Sequence, residues 1–162
     1  MFIAVNFPKE IKAGLADICQ SLTASGARGN FTEKENFHLT LAFLGELNEE
    51  EAKKAKAAVD KTEFSPFPLT IQGSGEFKHA GVLWAGVKAN PALAALQSGL
   101  SQTLRKSGFD LERRAFSPHI TLCRGIKFPA GFLPPPVSLP QFSVDGIELM
   151  KSERVGGKLT YT

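Results

Sequence analysis

Two short stretches of this chain spell nearly the same word half a chain apart: Phe37-His38-Leu39-Thr40-Leu41 and Pro118-His119-Ile120-Thr121-Leu122. The chain has only three histidines, and two of them sit in one frame of His, apolar, Thr, apolar. At this composition, chance would place two of three histidines in that frame on the order of once in a few thousand sequences. Residues two apart on a β-strand share a face. His38 therefore pairs with Thr40 and His119 with Thr121, while Leu39, Leu41, Ile120 and Leu122 turn into a core. A fold that uses both words has to bring two copies of one strand type together, as a two-lobed, pseudo-symmetric domain does.

The surrounding pattern agrees with that division. Phe2 to Phe7 reads as a buried strand, and Pro8 suits the first turn of a helix with Ile11, Leu15, Ile18, Cys19 and Leu22 on one face. Ser25 to Asn30 reads as a loop. The first motif strand spans 37–44 and stops at Gly45, after which Asn48 and Glu51 form a capping pair for a helix through about Lys61. Pro66 to Gln72 and Val82 to Val87 read as strands, separated by turn signals at Gly73-Ser74-Gly75 and His79-Ala80-Gly81. Asn90-Pro91 opens a helix whose Leu93, Leu96, Leu100 and Leu104 keep helical spacing until Gly108. The second motif strand covers 116–124, Pro134-Pro135-Pro136 marks a loop, and late strands fall near 140–150 and 157–161. Strand, helix and motif strand thus recur as a degenerate internal repeat within one domain, residues 1–162.

Imidazole holds or releases a proton near neutrality, so two of them facing one cavity can serve as general base and general acid. Threonine hydroxyls beside them can donate hydrogen bonds to an oxyanion as its charge grows. Attack on phosphorus needs those parts: a base for water, an acid for the departing ribose oxygen, and donors for the oxygens between. This scheme uses no metal, and two histidines without a nearby Asp, Glu or Cys at ligand spacing leave a metal shell incomplete.

The fuller stretches Glu35-Asn36-Phe37-His38-Leu39-Thr40-Leu41-Ala42-Phe43-Leu44-Gly45-Glu46 and Ser117-Pro118-His119-Ile120-Thr121-Leu122-Cys123-Arg124 carry a resemblance. Phe2-Ile3-Ala4-Val5-Asn6-Phe7-Pro8, Val82-Leu83-Trp84-Ala85-Gly86-Val87 and Leu159-Thr160-Tyr161-Thr162 extend it over almost the whole chain. The sequence resembles the two-histidine (2H) phosphoesterase superfamily, and within it the LigT-like RNA 2′,3′-cyclic phosphodiesterases, whose signature is two H-x-[ST]-x motifs in the halves of one domain. The resemblance implies an α+β fold with two antiparallel sheets flanked by helices and the active-site cleft between them. It also implies metal-independent, cofactor-free hydrolysis of RNA or nucleotide 2′,3′-cyclic phosphate ends to a 2′-phosphomonoester, and a reverse joining of RNA ends through a 2′,5′ linkage. By the same resemblance His119 is the general base, His38 the general acid, and Thr40, Thr121 and Arg124 hold the phosphate. Pseudo-symmetry alone leaves the order of the two histidines open. Relatives tend to continue past Tyr161-Thr162, so a reduced tail is expected.

Strict parity turns Arg124 away from Thr121, so its role requires a bulge, the strand's end or a long reach. The same parity places Cys123 beside His119 and Thr121, although its default reading, like that of Cys19, is a small core residue. Phe43 and Trp84 could stack on a base, yet an aromatic in an apolar strand is ordinarily core. Arg113 and Arg114 either guide a nucleic-acid backbone or are simply solvated, and His79, in a turn, has no assigned role.

A net charge of +3 and a pI near 8.9 favour an anionic ligand without the dense basic face of a strong duplex binder. Two cysteines match a reducing compartment, and neither a basic leader nor a long apolar run is present. The expectation is a cytoplasmic monomer that acts on cyclic-phosphate RNA or cyclic nucleotides, away from membranes. Two alternatives stand beside it: a phosphodiesterase for a small nucleotide or ADP-ribose cyclic phosphate, and a non-catalytic RNA-binding module. The intact His and Thr pairs argue against the second.

Overall fold

Both motif strands begin where a rigid, apolar-flanked histidine follows a short irregular segment, and the rest of the fold is arranged around them. The computed structural model describes residues 1–162. Its elements are β1 (Phe2–Asn6), α1 (Lys9–Ala24), β2 (Arg28–Phe31), a single 3₁₀ turn (Lys34–Asn36), β3 (His38–Phe43), α2 (Glu49–Lys61), β4 (Phe67–Leu69) and β5 (Ile71–Phe77). They continue with β6 (Val82–Val87), α3 (Pro91–Lys106), β7 (His119–Lys127), β8 (Phe142–Val144), β9 (Glu148–Met150), β10 (Ser152–Val155) and β11 (Lys158–Tyr161).

Two antiparallel sheets carry the motifs, one in the order β3-β1-β9 and one in the order β2-β7-β6-β5. Two-stranded ribbons β4-β8 and β10-β11 complete the α+β arrangement expected from the sequence. The helices cross over between the sheets. α1 follows β1 in the chain yet packs against β7, and α3 follows β6 yet packs against β3. Their buried stripes are Ile11, Leu15, Cys19 and Leu22 on α1, and Leu93, Leu96, Leu100 and Leu104 on α3. A single cluster of 29 buried residues therefore draws on both halves of the chain, so each motif strand is braced by the other half's helix.

Several boundaries differ from the sequence expectation, each for a packing reason. The stretch read as a loop at 25–30 contains the start of β2, which pairs with β7. Gly29 is there because a Cβ at that position would stand 2.5 Å from Cys123 Sγ, closer than side chains approach. Gly73-Ser74-Gly75, read as a turn, lies inside β5, where the Trp84 ring covers Gly75 and a Cβ would sit 2.2 Å from it. The strand read over 66–72 is two strands that change partners at Thr70, since β4 pairs with β8 and β5 with β6. The late strand near 140–150 likewise splits, β8 joining β4 and β9 joining β1.

Ile120 is fully buried between the motif face and the helices, whereas Leu133 is 86% exposed. Ile120→Ala should destabilise the fold by about 2–5 kcal/mol, while Leu133→Ala should stay within about 0.5 kcal/mol of the parent, both read from urea unfolding.

Candidate active site

The decisive local feature is one unpaired residue in each motif strand. Between β1 and β3, Ile3 lies opposite Ala42 and Ala4 opposite Thr40, leaving Leu41 over. Between β6 and β7, Leu83 lies opposite Cys123 and Trp84 opposite Thr121, leaving Leu122 over. The two words thus share a β-bulge at the same letter. An extra residue reverses the alternation beyond it. Leu41 and Ala42 are both buried and Phe43 is 71% exposed; Leu122 and Cys123 are both buried and Arg124 is exposed.

The bulge resolves the parity problem. Arg124 rejoins the face of His119 and Thr121, and Cys123, which simple alternation placed beside them, is fully buried instead. Phe43 likewise leaves the core, against the ordinary expectation for an aromatic in an apolar strand. The carbonyls of both bulge residues accept from a helix side chain, and that of Leu122 also from the residue after β2. Gln97 Nε2 of α3 donates to Leu41 O at 3.3 Å, while Leu122 O accepts from Thr32 N–H at 2.9 Å and from the Cys19 thiol of α1 at 3.8 Å.

Both imidazoles are held in the same way. His38 Nδ1 is 2.7 Å from Asn36 O, and His119 Nδ1 is 2.8 Å from Ser117 O, in each case the carbonyl two residues back. A carbonyl can only accept, so Nδ1 carries the proton in both rings and Nε2 is left with its lone pair. The Thr40 hydroxyl donates to His38 Nε2 at 3.0 Å. His119 Nε2 has no protein partner, and its ring meets the Phe77 ring edge-on at 5.0 Å.

His38 lies deeper than its counterpart, in a cluster of three rings with Phe2 at 4.7 Å and the Tyr161 ring edge-on at 4.9 Å, the latter two 5.1 Å from each other. Burial pushes its pKa below the ordinary imidazole value of 6.5; the Asn36 carbonyl opposes this, and the positive charges of Lys12, Arg124 and His119 add to it. β3 packs directly against β7, which brings the strands that carry the two histidines together. Thr40 and His119 line one cavity of about 420 Å³, walled on its apolar side by Phe43, Phe77 and Phe116. The structure thus brings Thr40 and His119 to one cavity, with His38 hydrogen-bonded to Thr40 and with Thr121 and Arg124 on the strand face of His119.

Tyr161 is the site residue that pattern reading missed. Its ring packs against Phe2 and His38, and burial raises its pKa while the Arg124 guanidinium opposes the rise. Only the return of β11 over β1 creates that neighbourhood, so no local spacing announces it. Arg114 reaches the cavity rim but pairs with Glu112, which blunts its charge, and His79 also borders the cavity. No third His, Cys, Asp or Glu side chain joins the histidines at metal-ligand spacing, and no helix is long and apolar enough to cross a membrane.

Known proteins are similar to this chain in sequence and fold. The family described as LigT like Phosphoesterase matches residues 5–84 and 87–160, and each segment contains one motif. The chain belongs to this family. An Archaeoglobus fulgidus member named RNA 2′,3′-cyclic phosphodiesterase is 33% identical over 128 residues, covering 76% of this chain and 71% of the relative. An Escherichia coli member of the same name is 30% identical, covering 100% of this chain and 92% of that one. The crystal structure of E. coli LigT complexed with 3′-AMP superposes with a TM-score of 0.85 at 30% identity, covering 99% of this chain and 92% of that chain.

The lowered pKa of His38 has a thermodynamic consequence. An unfolded chain takes up the His38 proton near the ordinary value of 6.5, before the folded chain does, so folded stability is lost as pH falls from there toward the folded pKa. The urea midpoint should decline as pH falls from about 7 through the ordinary imidazole range, and His38→Asn should flatten that decline.

Proposed function

We propose that this chain is a metal-independent RNA 2′,3′-cyclic phosphodiesterase that yields a 2′-phosphomonoester through paired-histidine acid–base catalysis. The observation that carries the reading is the pair of identically bulged strands, packed against each other, each with an Nδ1-anchored imidazole and a threonine on one face, with Thr40 of one and His119 of the other lining a common cavity. The names of the relatives and the 3′-AMP in E. coli LigT support an RNA or nucleotide substrate.

In this scheme water attacks phosphorus opposite the ribose O3′. One neutral Nε2 takes the water proton as the new P–O bond forms, and the other ring, as imidazolium, gives its Nε2 proton to O3′ as the P–O3′ bond breaks. Thr40, Thr121 and Arg124 donate to the non-bridging oxygens, where negative charge grows in the transition state. The family resemblance makes His119 the base and His38 the acid. The unpartnered Nε2 of His119 suits the first role. The acid role requires His38 to be protonated, which burial and nearby cations oppose until an anionic phosphate enters and offsets them. Thr40 then turns its hydroxyl from His38 Nε2 to the phosphate. A 5′-hydroxyl in place of water would give a 2′,5′ linkage by the same two proton transfers.

The same reading takes residues 1–162 as one domain acting as a monomer in the cytoplasm, where its two free cysteines stay reduced. A second reading, a diesterase for a small cyclic nucleotide, is favoured by the cavity of about 420 Å³, which is the size of a single nucleoside site. Turnover of cyclic mononucleotides against oligonucleotides with the same terminus separates the two.

Incubation of a 2′,3′-cyclic nucleotide in chelator should produce the 2′-monophosphate, and no loss of rate should accompany chelation. His38→Ala and His119→Ala should each lower kcat/KM by about 10²–10⁴-fold, and the double variant should be little worse than either. Full activity in either single variant would overturn the mechanism. Arg124→Gln should raise KM about tenfold or more through the loss of a charged hydrogen bond, measured by steady-state kinetics.

A further inference from the structure

The two motifs are built alike, yet a buried cation stands behind only one of them. Lys12, on α1, is 7% exposed. Its ammonium donates to the Glu35 carbonyl at 2.8 Å, and none of the molecule's ion pairs includes it. Burying an ammonium without a carboxylate partner is costly, so its presence calls for a return elsewhere in the molecule. The Glu35 carbonyl belongs to the 3₁₀ turn that leads into β3, and the next carbonyl along, that of Asn36, holds His38 Nδ1. The Asn36 side chain ties the same turn to Leu159 O at 2.8 Å. The Ser117 carbonyl that holds His119 has no such support: it lies in the segment after α3, where Arg114 and Glu112 pair with each other at the surface.

We propose that Lys12 is a positioning residue for the first histidine: its ammonium pins the turn that carries the Asn36 carbonyl, and it sets an uncompensated positive charge behind the His38 ring. The groups that face this ring are Lys12 from α1, Arg124 and His119 from β7, and Tyr161 from β11. β1 contributes Phe2 and Asn6, and Asn6 is bound to Glu148 of β9 at 3.2 Å; the side chains of Lys34 and Glu35 point to solvent. Lys12 thus adds a fixed charge to the burial that already makes the two imidazoles unequal. It disfavours a proton on His38 while the cleft is empty, and an arriving phosphate anion removes that bias. Proton uptake by His38 becomes linked to substrate entry, a consequence that rests on the paired-histidine reading, whereas the placement of the charge does not.

The test follows the His38 and His119 ring resonances by NMR across pH in the parent protein and in Lys12→Arg, Lys12→Gln and Lys12→Met, with folding checked on the same spectra. Both neutral variants should move the His38 titration to higher pH and leave His119 in place, and Lys12→Arg should keep the parent curve. Lys12→Gln retains a donor for the Glu35 carbonyl, so it separates charge from hydrogen bonding if Lys12→Met fails to fold. An unmoved His38 titration in a folded neutral variant overturns the proposal, as does an equal shift in Lys12→Arg. The acid limb of kcat/KM should move with the resonance. A moved resonance with an unmoved rate profile would support the placement of Lys12 and count against His38 as a catalytic residue.

Discussion

Leu41 and Leu122 have no partner on the strand beside them, and the site follows from that mismatch. In a regular strand, the residue three places after each motif threonine would point away from the histidine. The extra residue turns it back, so that Phe43 and Arg124 stand on the same faces as His38 with Thr40 and His119 with Thr121. A bulge leaves a carbonyl outside the ladder, and an unsatisfied carbonyl in the core would be costly. Gln97, Thr32 and Cys19 supply the missing donors. Two of those donors come from the helix of the opposite half, Gln97 on α3 and Cys19 on α1, as the crossed packing allows.

That crossing makes the two halves interdependent. Each motif strand rests on a helix encoded half a chain away, and one apolar cluster serves both. Symmetry of backbone does not extend to the environment of the rings. His38 is enclosed by Phe2 and Tyr161 and stands in front of Lys12, while His119 is open on its Nε2 side and touches Phe77. An acid and a base need different proton affinities, and duplication followed by unequal burial is a direct physical route to that difference.

Features governed by local chemistry were legible in the chain. Asn48 and Glu51 form the reciprocal capping bonds that their spacing implies, at 2.9 Å each, and Asn90 accepts from Leu93 N–H at 3.1 Å where α3 begins. The inward turn of Leu39, Leu41, Ile120 and Leu122 followed from two-residue alternation. The glycines misled because glycine serves two purposes. It marks turns, but at Gly29 and Gly75 it admits a cysteine sulfur and an indole ring, and only the neighbouring strands reveal which purpose applies.

The order of residues alone determined that two His-x-Thr words share a strand geometry, that each offers an imidazole beside a hydroxyl, and that helices separate them, because these properties depend on neighbours within a few positions. Only the tertiary structure decided that Arg124 rather than Cys123 shares the exposed face of His119, that Tyr161 packs on the first histidine and Lys12 on the turn before it, and that the two rings differ in burial. Those outcomes depend on register between distant strands and on which groups the packed chain removes from water, and no local spacing encodes either.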